Sequence, residues 1–115
     1  MRISLEQLLN TMVFENVNAE ALANIYFDGK VTSHSLTTQE GDNITIGLIY
    51  PGEYHFDTDL AERMEIISGN CKVEIDGSEK TEEYSEGDHF DVPASSGFGI
   101  VVESKICQYV CRFIK

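Results

Sequence analysis

From Tyr26 onward the chain consists of short apolar segments separated by turn residues, and this pattern limits the folds open to it. The segments are rich in Val, Ile, Thr, Tyr and Phe, and Gly, Asp, Ser or Pro interrupts them about every eight to twelve residues. Asp76-Gly77 also matches the type I′ hairpin turn, whose two central residues need positive φ. An antiparallel sandwich or barrel is therefore expected, with strands at residues 30–36, 43–50, 53–58, 64–67, 71–75, 89–92, 98–103 and 106–114.

Two of these predicted strands are apolar on both faces. In residues 43–50 and 106–114, apolar side chains occupy both sets of alternating positions, so water is largely excluded from either side. One face can be buried inside a closed or double-layered sheet, whereas the other needs a second layer or a partner subunit. The sequence therefore predicts a homodimer.

Residues 1–23 have a different pattern, typical of a helix. A capping box begins at Ser4, and Leu5, Leu8, Leu9 and Met12 follow at helical spacing. We expect a short amphipathic helix in an N-terminal helical extension (residues 1–23), followed by a β-domain over residues 24–115. The helix would either cover an open barrel end or sheet edge, or serve as a dimer contact or lid.

Charge excludes several classes of partner. The chain carries a formal net charge of −12 with only eight Lys and Arg, so nucleic-acid polymers and anionic membranes should be repelled. A small anion remains compatible, because one buried Arg and a few backbone N–H groups can hold it locally. No stretch is long enough to span a bilayer, and Glu6, Gln7 and Asn10 interrupt any signal-peptide core.

The cysteines indicate a reducing compartment. Cys71, Cys107 and Cys111 are an odd number, and the last two lie too far apart on one strand to form a disulfide. Free thiols acting as small core residues fit a cytoplasmic protein.

Two spacings resemble the cupin motifs. Glu62 precedes Gly69 by six intervening residues, and Gly87 precedes Pro93 by five, as at the turns of a small jelly-roll barrel. The expected fold class is therefore all-β, a cupin-like jelly-roll β-barrel with a short N-terminal helix.

Metal-binding cupins hold their ion with three His and one Glu, and this set is incomplete here. The corresponding positions carry His55, Asp57, Glu62 and Phe98, and Phe98 cannot be a ligand. One imidazole and two carboxylates remain, so no metal cofactor is expected.

A closer resemblance accounts for the lost ligands. Five segments in order and spacing resemble the pyrimidine/purine nucleoside phosphorylase family of metal-free cupins, namely 26–31 (YFDGKV), 52–56 (GEYHF), 64–69 (MEIISG), 90–93 (FDVP) and 111–113 (CRF). The resemblance implies a homodimeric enzyme of broad specificity that cleaves nucleosides with inorganic phosphate to free base and ribose 1-phosphate. Residues 1–23 lie outside it, and His55, Asp57 and Arg63 depart from the family pattern.

Two charged residues are candidates for catalysis. Arg112 shares a strand face with apolar residues, so its guanidinium should lie in a water-poor site where it must find an anion. A neighbouring carboxylate and phosphate are the alternatives, and the resemblance favours phosphate. Glu62 could hold the ribose hydroxyls and stabilise an oxocarbenium-like transition state, or else be a solvated surface charge.

The candidate substrate-binding residues are mainly aromatic. A flat apolar ring stacks on any base, which would give broad specificity, although each ring taken alone could equally be core. A carboxylate on the 53–58 strand could bind the sugar, and His55 could protonate the departing base or be a surface imidazole. The substrate-binding candidates are Tyr26, Glu53, Tyr54, Phe56 and Phe98.

Two other functions remain open at this point. The chain could be a non-catalytic cupin that binds a small ligand, or a metal-dependent oxygenase or isomerase.

Overall fold

The computed structural model describes residues 12–115, and nearly all of their regular structure is β-strand. One turn of 3-10 helix over Phe27–Gly29 lies between two of the strands near the N-terminus. The strands are β1 (Asn18–Ala19), β2 (Asn24–Tyr26), β3 (Val31–Thr37), β4 (Asn43–Ile49), β5 (Gly52–Asp57), β6 (Ala61–Ser68), β7 (Asn70–Ile75), β8 (Glu82–Ser85), β9 (His89–Val92), β10 (Gly97–Val102) and β11 (Cys107–Ile114).

The strands form two antiparallel sheets. The larger sheet has the order β1-β3-β4-β11-β6-β9, with β2 also paired to β3, and the smaller has the order β5-β10-β7-β8. The predicted all-β class is confirmed. Within residues 12–115 no ladder joins the two sheets, which form two layers, so the jelly-roll β-barrel expected from the sequence is not confirmed.

The described part of the N-terminal extension is extended rather than helical. Residues 1–11, which hold most of the predicted helix, lie outside the described residues. Beyond them, β1 pairs with the free edge of β3, and the Glu20 N–H donates to the Ser35 carbonyl oxygen at 2.9 Å. That edge satisfies backbone groups that a helix would have satisfied internally, which explains the difference. No helix in residues 12–115 is long and apolar enough to cross a membrane.

The main core lies between the two sheets. Residues with odd numbers on β11, among them Cys107, Tyr109 and Cys111, point into it and meet Tyr54 and Phe98 from the smaller sheet. The alternation of side chains along a strand sends the intervening residues to the outer face.

A second cluster covers the outer face of the larger sheet. There Leu36, Ile44 and Val110 are buried beneath Phe14 and Val17 of the N-terminal segment. The second layer required by the two-faced apolar strands is therefore supplied in part by the chain itself.

Strand β8 was not predicted as a separate strand. It pairs with β7 and forms one edge of the smaller sheet, with Glu82 and Glu83 exposed. Because its sequence is largely charged, it lacks the alternating apolar residues from which the other strands were predicted.

Substitution of Gly47 tests how closely β4 approaches β3. A Cβ at this position would overlap the Thr32 carbonyl oxygen and lie 2.9 Å from the Ser33 Cα. We expect Gly47→Ala to lower the free energy of unfolding by about 2–3 kcal/mol, because backbone cannot move aside as a side chain can. Thermal unfolding should show a melting temperature lower by about 10 °C or more.

Gly99→Ala is the matched control. Its nearest neighbour would be the Tyr54 carbonyl oxygen at 3.9 Å, an ordinary contact, so its melting temperature should change by less than about 4 °C. Equal melting temperatures for the two variants would contradict the described register.

Candidate active site

A cavity of about 230 Å³ opens between the two sheets. Inward-facing side chains of the larger sheet form its floor, and rings from β5 and β10 form the opposite wall. Its lining residues are Tyr26, Ser33, Thr45, Ile49, Phe56, Asp57, Glu62, Met64, Phe98, Tyr109, Cys111 and Phe113.

Four of the predicted site residues line this cavity. Phe56 and Phe98 come from neighbouring strands of the smaller sheet, Tyr26 from the end of β2, and Glu62 from β6. The phenyl rings of Phe56 and Phe98 stack with centroids 5.6 Å apart and planes inclined by 29°, and Tyr26 meets Phe56 edge-on at 6.2 Å. The structure therefore brings together three aromatic rings and one carboxylate.

The side chains of strand β5 alternate between the core and the outer face of the smaller sheet. Tyr54 and Phe56 point inward, and the buried Tyr54 hydroxyl donates to the Tyr50 carbonyl oxygen at 2.8 Å. Tyr54 is therefore anchored in the core beside the cavity rather than in its lining. Glu53, predicted to bind substrate, is exposed on the outer face of the smaller sheet, because strand alternation separates it from Phe56. Its predicted position beside the inward-facing rings is therefore corrected.

Arg112 lies on the opposite side of the larger sheet from the cavity. Its Nε donates to Glu65 Oε2 at 3.0 Å, and its guanidinium carbon lies 5.4 Å from the centre of the Phe14 ring. Of the two partners that the sequence left open for Arg112, the structure shows the neighbouring carboxylate, and Arg112 does not line the cavity where the aromatic candidates lie. Its neighbours Cys111 and Phe113 face the cavity, so alternation turns Arg112 outward.

The positions related to metal-binding cupins are only partly brought together, since Asp57 and Glu62 line the cavity but His55 does not. His55 points outward, where its Nε2 lies 2.9 Å from Asp76 Oδ2 and its Nδ1 lies 3.8 Å from Asp57 Oδ1. Glu62 points inward to the cavity. His55, Asp57 and Asp76 lie close enough together to share an ion, but all three are exposed, and ion pairing explains their arrangement.

Glu62 is a half-buried carboxyl in the cavity wall. Burial raises the pKa of its carboxyl, and a hydrogen bond from the Cys111 thiol acts in the opposite direction. The Cys111 Sγ donates to Glu62 Oε1 at 3.4 Å. Burial also raises the pKa of the Cys111 thiol, which keeps it protonated as a donor, and Thr45 hydrogen-bonds to it. One carboxylate oxygen is thereby fixed, which leaves the other for a ligand.

Tyr109 supplies a neutral donor close by. Burial raises the pKa of its phenol, and a hydrogen bond from Ser33 acts the other way. The Asn24 Nδ2 donates in turn to the Ser33 Oγ at 3.2 Å. Because Ser33 is held on its other side, the Tyr109 O–H remains available to donate to a molecule in the cavity.

Sequence reasoning missed these supporting polar residues. Ser33, Thr45 and Tyr109 occupy inward positions of otherwise apolar strands, and a small polar residue in an alternating apolar run was the available signal. The paired strands had to be known before those positions could be placed around one space.

Comparison with known proteins gives a consistent family. The family model described as pyrimidine/purine nucleoside phosphorylase matches residues 21–113. A pyrimidine/purine nucleoside phosphorylase of Hydrogenovibrio crunogenus is 44% identical over 88% of this chain and 96% of its own length. One from Leptospira interrogans serovar copenhageni is 45% identical over 89% of this chain and 95% of its own.

A solved structure agrees in fold. The crystal structure of a protein of unknown function (DUF1255) from Acinetobacter sp. ADP1 has a TM-score of 0.86 and 36% identity, covering 89% of this chain and 98% of that one. The resemblance found in the sequence is confirmed by the family match. This chain belongs to the pyrimidine/purine nucleoside phosphorylase family.

Proposed function

We propose that the protein is a nucleoside phosphorylase of broad specificity, a pentosyltransferase. It would cleave purine and pyrimidine nucleosides with inorganic phosphate to the free base and ribose or deoxyribose 1-phosphate. The supporting observation is the cavity that joins a stacked aromatic wall to the Glu62 carboxyl and the Tyr109 hydroxyl, in a chain whose relatives are named for this activity.

The reaction needs no covalent enzyme intermediate. An oxygen of hydrogen phosphate forms a bond to the anomeric carbon as the glycosidic C–N bond breaks, and the phosphate proton ends on the departing nitrogen. Positive charge develops on the sugar ring in between. Catalysis then rests on positioning and electrostatic stabilisation in a site from which water is largely excluded.

Glu62 is assigned to the sugar. Its free carboxylate oxygen accepts hydrogen bonds from the ribose hydroxyls, and its negative charge favours the oxocarbenium-like transition state. The Cys111 thiol holds the other oxygen in place at 3.4 Å. A deoxyribose loses one hydrogen bond but keeps the charge interaction, so both sugars are accepted.

The rings of Tyr26, Phe56 and Phe98 are assigned to the base. Stacking depends on a flat face rather than on a pattern of donors and acceptors, so purines and pyrimidines both fit. None of the cavity-lining atoms on these three side chains except the Tyr26 hydroxyl can read a base edge. Broad specificity follows from this composition.

Phosphate is assigned to neutral donors. Within the described chain, the cavity lining includes neither Lys nor Arg, so hydroxyl groups such as that of Tyr109 must supply the hydrogen bonds. Arg112, which the sequence favoured as the phosphate ligand, is instead assigned to the support of β11 through its ion pair with Glu65. Its guanidinium neutralises a carboxylate that is largely shielded from water.

The remaining features of the proposal concern the whole protein. We propose a cytoplasmic homodimer with no metal cofactor, in which the two sheets act as a jelly-roll barrel open at the cavity mouth. Three free buried thiols suit a reducing compartment. Exposed apolar residues such as Ile46 on the outer face of the larger sheet offer area for a partner subunit.

One observation favours a second candidate. A cavity without a cationic side chain suits a neutral ligand better than it suits phosphate, so a non-catalytic protein that binds nucleosides is the alternative. A metal-dependent enzyme has less support, because His55 does not line the cavity that Glu62 lines.

A direct assay separates the two candidates. The purified protein, incubated with uridine or adenosine, should release uracil or adenine only when phosphate is added, as followed by chromatography. Phosphorus NMR should show one ribose 1-phosphate for each base released. Binding of nucleoside without any phosphate-dependent release of base would favour the non-catalytic alternative and reject the enzyme.

Glu62→Gln tests the catalytic carboxylate. The variant keeps an acceptor for Cys111 but loses the charge, so kcat should fall by about 10²–10³, as it does when one transition-state contact is removed elsewhere. The matched control is Glu53→Gln, on the outer face, which should leave kcat unchanged. An unchanged kcat in Glu62→Gln would remove this residue from the mechanism.

The same variant should be more stable at neutral pH. The folded protein raises the pKa of Glu62, so this group favours the folded state below its unfolded pKa near 4.5, and that contribution is lost as pH rises through the folded pKa. At pH 7 the ionised carboxylate opposes burial, and Glu62→Gln should raise the melting temperature by about 2–4 °C. The gain should vanish at acidic pH, and a gain independent of pH would contradict the burial argument.

Arg112→Gln tests the assignment of phosphate. Because the ion pair with Glu65 lies outside the cavity, the variant should melt at a lower temperature while its KM for phosphate changes less than about twofold. Paired Arg112→Gln and Glu65→Gln substitutions should recover part of the lost stability, since no unpaired carboxylate remains. A tenfold rise in the KM for phosphate in a folded Arg112→Gln protein would move phosphate to the outer face.

A further inference from the structure

Phe27 has a backbone conformation that bulky residues seldom adopt. Its φ is 51°, in the left-handed region, and the next two residues, Asp28 and Gly29, have φ values of 55° and 91°. Glycine adopts this region without cost, whereas a large aromatic residue there is a genuine outlier. Such conformations persist only where the surroundings enforce them, and they concentrate at ligand-binding sites.

The left-handed turn places two consecutive rings on the same neighbour. Along a strand, Tyr26 and Phe27 would point to opposite faces. Here Tyr26 meets the Phe56 ring edge-on at 6.2 Å, and Phe27 meets the same ring edge-on at 5.5 Å. Phe27 also lies 5.0 Å from the Tyr54 ring. The turn therefore extends the aromatic wall outward by one ring.

Both rings remain open to solvent beside the cavity: Tyr26 lines it, and Phe27 packs on Phe56, which also lines it. Tyr26 is 46% exposed and Phe27 is 45% exposed, although both pack against the largely buried aromatic cluster. An aromatic ring usually buries more of its surface than this when packing is its only role. The exposed half of each ring is free to contact a ligand.

The size of the cavity requires such a contact. Its volume of about 230 Å³ is below the roughly 300–1,000 Å³ of ordinary small-molecule sites. A nucleoside whose sugar reaches Glu62 in the wall cannot be wholly enclosed, so its base must project toward the mouth. Tyr26, which lines the cavity, and Phe27, which shares the Phe56 ring with it, are half-exposed rings next to the cavity.

We propose that Phe27 determines specificity by stacking on the part of the base that projects from the cavity. This inference rests on the proposed function and adds a residue to its binding site. Bicyclic purines reach farther from the sugar than pyrimidines do, so Phe27 contributes more to purine nucleosides. The strained turn serves to place the Phe27 ring beside Tyr26 on the Phe56 ring.

Phe27→Asn separates the ring from the turn. Asn is among the side chains that adopt the left-handed region most readily, so this variant keeps the turn and removes the stacking surface. Its KM for adenosine should rise about tenfold, as expected for the loss of one stacking contact, and its KM for uridine should rise less. The KM for phosphate should not change, and Phe27→Tyr should restore the KM for adenosine.

Ile106→Asn is the matched control. This exposed residue precedes β11 and does not line the cavity, so its replacement should leave every KM unchanged. Thermal melting of each variant identifies any loss of fold. A folded Phe27→Asn protein with an unchanged KM for adenosine, or with equal increases for adenosine and uridine, would overturn the proposal.

Direct binding keeps this test independent of turnover. Calorimetric titration with adenosine in the absence of phosphate should give a Kd about tenfold weaker for Phe27→Asn than for the native protein. That result supports the stacking role even if no base is released, in which case only the phosphorylase proposal fails. Equal Kd values, or no adenosine binding by the native protein, would reject the role of Phe27.

Discussion

The placement of the core, the cavity and the outer layer depends on strand β11, which is paired along both of its edges. It hydrogen-bonds to β4 on one side and β6 on the other, which fixes the facing of each of its side chains. Tyr109 and Cys111 thereby enter the cavity, while Val110 and Arg112 enter the layer formed with the N-terminal segment. A shift of one residue would exchange the two sets, placing a guanidinium in the core and a phenol outside.

The sequence predicts the architecture well, because apolar residues in a strand that is buried on one face recur at every second position. Alternating apolar segments with Gly, Pro and Asp between them locate β3, β4, β5, β7, β9, β10 and β11 to within a few residues, and the two-faced apolar strands correctly require cover on both sides. Strand β8 escapes because its outward residues are charged. The extended path of residues 12–23 also escapes, since pairing with the edge of β3 is a tertiary interaction.

The candidate site is predicted less completely, and Arg112 shows why. When both faces of a strand are apolar, alternation says which residues lie together but not which group faces the core. Arg112 was correctly grouped with Val110, yet that group faces outward. Glu65 could be recognised as its partner only from the register between β6 and β11. Glu62, Phe56 and Phe98 converge in the structure, whereas the family resemblance carried the functional interpretation.

The edge of the smaller sheet affects how readily two molecules of the protein associate. Among residues 12–115, no strand pairs with the outer edge of β8, and such unpaired rows of backbone donors and acceptors readily pair with other chains. Glu82 and Glu83 project from that border, so two molecules that approach through it meet mutual repulsion. The acidic residues of β8 thus disfavour self-association through this edge.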